Sequence, residues 1–77
     1  MEIVTSTAKS GNTTVRSIDE KGTKTRLVIF KTPAGTHQID ALFRRAKGGF
    51  RRRYISRVGS RKAAIAQARK LAARRVH

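Results

Sequence analysis

Seven cations crowd into one short stretch of the chain: Arg44, Arg45, Lys47, Arg51, Arg52, Arg53 and Arg57. Arginine dominates, and its planar fork of donors suits bidentate contacts to phosphate or to guanine edges. Gly48-Gly49 interrupts the run and reads as a hairpin turn. Such a turn is expected to lay 44–47 beside 51–53 and concentrate these cations in one ribbon. Phosphates repeat every few ångströms along nucleic acid, so the ribbon matches a duplex backbone or a groove. A face that served only solubility would mix signs, and this one contains no acid.

A second cationic cluster opens the next element. Ser60 is a good helix N-cap, yet Arg61 and Lys62 follow it, where the macrodipole favours acids. A phosphate held by Ser60, Arg61 and Lys62 would turn that cost into a gain. Further along, Lys62, Arg69, Lys70 and Arg74, extended by Arg75 and His77, fall on one arc of a helix. That arc fits a second stretch of backbone or a major groove, or simply adds electrostatic attraction.

The aromatic side chains are Phe30, Phe43, Phe50 and Tyr54. A thin core needs its rings, which places Phe30 and Phe43 inside; Tyr54, set among arginines, is the ring expected at an interface. Catalytic chemistry finds little to work with. The carboxylates are Glu2, Asp19, Glu20 and Asp40, and the histidines are His37 and His77. His37 and Asp40 could meet only if their segment were helical, and they lack a nucleophile or further metal ligands. The glycines do not follow a nucleotide-binding spacing. No catalytic residue, metal site or cofactor is expected, and the chain is not read as an enzyme.

These groups need a scaffold, and composition limits its size. The chain has 77 residues, room for one small domain. Leu, Ile, Val and Phe number 17, so a folded core is feasible but thin. A homodimer, or ordering on a polyanion, would supplement it. The net charge is +15, and such self-repulsion is relieved by a counter-charged partner. Residues 1–40 carry six basic and four acidic side chains, whereas 41–77 carry thirteen basic and none acidic. The functional surface is therefore expected in the second half. Cysteine is absent, excluding disulfides and thiolate metal sites. No apolar run approaches the length of a membrane span, and MEIVTSTAKSG lacks the pattern of a signal peptide. Membrane binding is not expected, since the helix offers mostly Ala where a membrane-surface helix would show Leu, Phe or Trp.

The first half reads as short strands divided by turn chemistry. Residues 2–8 are rich in β-branched side chains, and Ser10-Gly11-Asn12 supplies a turn. Residues 13–18 return antiparallel, and Asp19-Glu20-Lys21-Gly22 reads as a type I turn closed by a left-handed Gly. Residues 24–31 carry the strongest strand signal, and Pro33-Ala34-Gly35 ends it. Residues 36–47 fit a strand or a helix; the glycine turn and further strand beyond them favour the strand. Residues 50–58 alternate, with Phe50, Arg52, Tyr54, Ser56 and Val58 on one side and Arg51, Arg53, Ile55 and Arg57 on the other. From about 60 to 75 the chain is Ala-rich and helical, with Ala64, Ile65, Ala68, Leu71, Ala72 and Val76 on its apolar arc. The predicted fold is α+β: an antiparallel meander of three to five strands with one C-terminal helix. Five strands would allow a small SH3-like barrel; three would make a sheet with the helix across one face.

The stretch GSRKAAIAQARKLAARR resembles the last helix of double-stranded-RNA-binding domains, although that family's opening helix has no counterpart in MEIVTSTAK. The layout of strands followed by a basic helix also resembles small archaeal chromatin proteins and the arm-binding domains of integrases. The sequence thus predicts one nucleic-acid-binding domain over 1–77, with DNA favoured over RNA. A regulatory or architectural role in the cytoplasm or nucleoid, of bacterial, archaeal, plasmid or phage origin, fits that reading. The alternatives are an RNA-binding protein, for a duplex or ribosomal RNA, and a small inhibitor that docks on an acidic protein surface.

Overall fold

In a computed structural model, which describes residues 2–18, 22 and 24–74, the chain forms five strands and one helix. They are β1 (Glu2–Thr7), β2 (Thr13–Ile18), β3 (Lys24–Lys31), β4 (His37–Arg44), β5 (Phe50–Val58) and α1 (Arg61–Arg74). The sheet is an antiparallel meander in the order β1-β2-β3-β4-β5. It stays open: all five predicted strands form, yet they do not close into a barrel, and the helix lies across one face. The ambiguous 36–47 segment is a strand, pairing on both sides. Its extended backbone puts His37 and Asp40 on opposite faces, so the pair cannot meet.

Three connections share one construction. In Ala8–Asn12, Thr32–Thr36 and Arg45–Gly49 the first N–H donates to the carbonyl four residues on, and the fourth N–H donates back to the first carbonyl. The fourth residue is Gly in each case, and at Gly48 φ is +96°, a conformation that penalises any side chain. This is the three-residue hairpin loop that ends in a left-handed residue. The predicted turn at 19–22 lies largely outside the described residues, though Gly22 has the expected positive φ of 81°.

The core lies between the sheet and α1. Val15, Leu27, Ile29, Ile39 and Ala41 face it from the strands, and Ala64, Ala68 and Ala72 from the helix. Alanine at every fourth position leaves a smooth stripe, so the helix can settle closely onto β2 and β3. Ile65 and Leu71 flank that stripe, as the apolar arc predicts; Val76, Arg75 and His77 lie outside the described residues. Polar contacts complete the junction. The Ser17 hydroxyl donates to the Ala72 carbonyl at 3.1 Å, and the Ser56 hydroxyl donates to Gln67 Oε1 at 3.3 Å. Because Arg61 also meets Thr13, α1 runs along β2 in the same direction.

Two sequence expectations change here. Phe43 packs against the core as predicted, but Phe30 lies on the face away from the helix. The run Leu27–Phe30 is apolar on both faces, and Leu27 with Ile29 takes the core. Strict alternation along β5 also fails. Ile39 pairs with Ser56 while Asp40 pairs with Tyr54, leaving Ile55 as an extra residue in a bulge. The bulge lets Ile55 and Val58 both pack against the core, which an unbroken strand would forbid. In consequence Arg57 crosses to the face of Phe50, Arg52 and Tyr54.

Candidate nucleic-acid interface

The helix covers one face of the sheet and leaves the other bare. Register assigns the bare face: Glu2 and Val4 from β1, Arg16 and Ile18 from β2, Lys24, Arg26 and Phe30 from β3, Gln38, Asp40, Leu42 and Arg44 from β4, and Phe50, Arg52, Tyr54 and Arg57 from β5. Among the described residues the exposed large hydrophobics are Val4 (41%), Ile18 (47%), Phe50 (51%) and Tyr54 (56%), and all four stand on this face. Interleaved with them are six cations against two acids. Large apolar side chains interleaved with arginine across an uncovered sheet face are unusual for a solvated surface.

Three of the guanidinium groups here have partners. Arg52 donates through Nη2 to Asp40 Oδ2 at 3.1 Å and lies over the Phe30 ring, 5.1 Å from its centroid. Arg57 donates to Gln38 Oε1 at 3.2 Å and lies over Tyr54 at 5.9 Å. Gln38 in turn donates to Asp40 Oδ1 at 2.8 Å. Arg26 lies over Phe50 at 5.5 Å. Arg16 and Arg26 are direct cross-strand partners. Like charges so placed destabilise a sheet until an anion lies over them.

The predicted ribbon is not one surface. Arg44 pairs with Phe50, and Arg51, Arg52 and Arg53 oppose Phe43, Leu42 and Ala41, so 44–47 form the tip and do not lie beside 51–53. Arg52 and Arg57 join the bare face. Arg51 and Arg53 point to the helix side, at the sheet's edge strand, with Arg51 over the Phe43 ring at 6.0 Å. Arg45 and Lys47 occupy the exposed hairpin tip.

The helix cations are placed elsewhere. Ser60 caps the helix, accepting from the Ala63 N–H at 3.1 Å. Arg61 turns away from the cap to donate to the hydroxyls of Thr13 (2.9 Å) and Thr7 (3.1 Å). A phosphate clamp of Ser60, Arg61 and Lys62 would draw on the Nε and Nη1 donors of Arg61, since Nη2 is engaged by both threonines. Arg69 donates to Thr5 Oγ1 at 2.7 Å. Both arginines tie α1 to β1. Lys62, Lys70 and Arg74 remain exposed on the side remote from the bare face.

Sequence reasoning missed Arg16, Lys24 and Arg26, because charge density drew attention to the second half. It also missed Phe50. The strand alternation around Val15 and Leu27 held the signal for the first three, since residues between core positions must point outward. Among the described residues no three His, Asp or Glu side chains gather as a metal site, and no described helix is long and apolar enough to cross a membrane. Compared with known protein families, curated proteins and solved structures, the chain shows no significant match.

Proposed function

We propose that the protein binds duplex DNA through the bare face of its sheet, as a regulatory or architectural protein acting where DNA lies, in the cytoplasm or nucleoid. The observation that carries this reading is the convergence on one uncovered face of every exposed large hydrophobic among the described residues with six lysines and arginines. A protein partner would suit the apolar part, but an acid-poor face on a chain of net charge +15 favours a polyanion.

Dimensions favour a B-form duplex. The axes of β4 and β5 lie about 4.8 Å apart, and a major groove of about 12 Å admits such a two-stranded ribbon. The five-strand sheet, at about 19 Å, is too wide to enter flat. Sheet twist carries β1 and β2 out toward the phosphates. In this pose the β4–β5 tip, with Arg44, Arg45 and Lys47, reaches the flanking backbone. The A-form major groove is deep and narrow and would not take the sheet.

RNA is the second reading, supported by the exposed rings of Phe50 and Tyr54, since aromatic side chains on a sheet can stack unpaired bases. Each of those rings already carries a guanidinium over its face, which argues against stacking. Fluorescence anisotropy with equal-length DNA duplex, RNA duplex and single-stranded DNA distinguishes the readings. The DNA duplex is expected to bind at least tenfold more tightly than either rival. With about six phosphates contacted, log K should fall against log[salt] with a slope near −5. Preference for single strands, or a slope shallower than about −2, overturns the proposal.

A further inference from the structure

Resting on the duplex reading, we infer that Arg52 and Arg57 read base edges, that Asp40 and Gln38 position them, and that the preferred target carries guanines within a few base pairs of each other. The starting observation is Asp40. It is one of only four acids in the chain, and it sits on the most cationic face of the sheet while being 6% exposed. A cation meant for phosphate gains nothing from a carboxylate neighbour, because the acid cancels the charge that attracts the backbone. What the acid supplies is orientation.

Each guanidinium of the pair is fixed twice. Arg52 is held at one amino group by Asp40 and across its plane by Phe30. Arg57 is held at one amino group by Gln38 and across its plane by Tyr54. Gln38 links the two by donating to Asp40, so both planes belong to one hydrogen-bonded unit. Arginine has five N–H donors in a rigid fork, and each of these contacts uses one amino group. Fixed planes with donors left over match the O6 and N7 acceptors of guanine, which ask for two coplanar donors. Each of these contacts lowers the ordering entropy that the side chain must still lose on binding. The tip cations Arg45 and Lys47 lack such holders and are suited to phosphate, where position matters less.

The test selects binding sites for the full chain from a randomised DNA duplex, then titrates the selected duplex and a random one. Guanine enrichment at two positions is expected. Replacing either guanine by 7-deazaguanine, which keeps the base pair but removes N7, should weaken binding about tenfold. Discrimination of selected over random sequence should fall within the range of roughly 5- to 150-fold per guanine contact in the native chain. Arg52→Lys, with a point charge in place of the fork, should reduce that ratio toward one. Asp40→Asn should also reduce it while tightening binding to random duplex, an outcome that a merely structural carboxylate would not produce. Thermal melting of each variant verifies the fold, and Arg52→Lys alters only an exposed side chain should Asp40→Asn melt early. Duplex binding without guanine enrichment, or an unchanged ratio in Arg52→Lys, overturns the inference and leaves the duplex reading standing. Absence of duplex binding removes both.

Discussion

Both sides of the sheet are rich in arginine, but the two sides use it differently. On the helix side Arg61 and Arg69 donate to Thr5, Thr7 and Thr13, contacts that fasten α1 to β1 and β2. On the bare side the guanidinium groups rest on Phe30, Phe50 and Tyr54, with Asp40 and Gln38 holding two of them. The partners of each cation separate a set that fastens the helix from the set we propose meets DNA.

The sharpest way to break that distinction is to neutralise the bare side. Arg16→Gln, Arg26→Gln and Arg57→Gln together should weaken duplex binding about 100-fold, at about 1 kcal/mol per lost contact. None of the three orphans Asp40, whose partner is Arg52. Because Arg16 and Arg26 face each other across β2 and β3, their removal should leave the free protein as stable as before or slightly more so. Lower affinity with undiminished stability marks a binding surface. A loss under about fivefold in anisotropy titrations would sink the assignment of this face.

The hairpin tip should give the next largest effect, and one of a different kind. Arg44→Gln, Arg45→Gln and Lys47→Gln should weaken binding about tenfold on every sequence alike. The salt slope should become shallower by about 2.7, since each lost phosphate contact removes about 0.9. A change in sequence preference without a change in slope would move the tip from the backbone to the bases. Smaller again is the effect expected of Lys62→Gln, Lys70→Gln and Arg74→Gln. The molecule is 23 Å across its shortest dimension, nearly three times the Debye length of about 8 Å at physiological salt. These changes should lower affinity less than threefold at that salt. A tenfold loss would show that the helix touches the duplex.

Much of the scaffold was legible because its signals are local. The β-branched run of β2, the apolar run of β3, the turn glycines and the Ser60 cap each act through neighbours a few residues away. The faces were harder to read. Leu27–Phe30 is apolar at every position, so only the docked helix decides that Leu27 and Ile29 face inward and Phe30 outward. The bulge at Ile55 arises because two apolar residues of unlike parity, Ile55 and Val58, both find the core, and that competition is settled by packing. Arg57 changed sides as a result. The expectation of a single ribbon failed for the same reason: a strand shows its side chains on both faces, and Arg51, Arg52 and Arg53 in succession must divide. Charge density located the β4–β5 tip and overlooked Arg16 and Arg26, which are conspicuous only once the meander sets them opposite each other.

The comparison also predicts a place where stability and binding part company in the other direction. Ala68 is fully buried at the middle of the alanine stripe, whereas Ala66 on the same helix is exposed. Ala68→Leu inserts three extra carbons where the helix meets Val15 and Leu27, and such overpacking costs about 1–3 kcal/mol. Ala66→Leu, pointing to solvent, should change stability by less than about 0.5 kcal/mol. Because the helix is assigned to holding the sheet and not to the duplex, the folded fraction of Ala68→Leu should bind DNA as the parent does. Thermal denaturation measures the first effect, and titration well below the melting temperature measures the second. If binding fell in step with helix displacement while the sheet stayed intact, the helix would be part of the interface after all. The bare face would then be half of a larger surface.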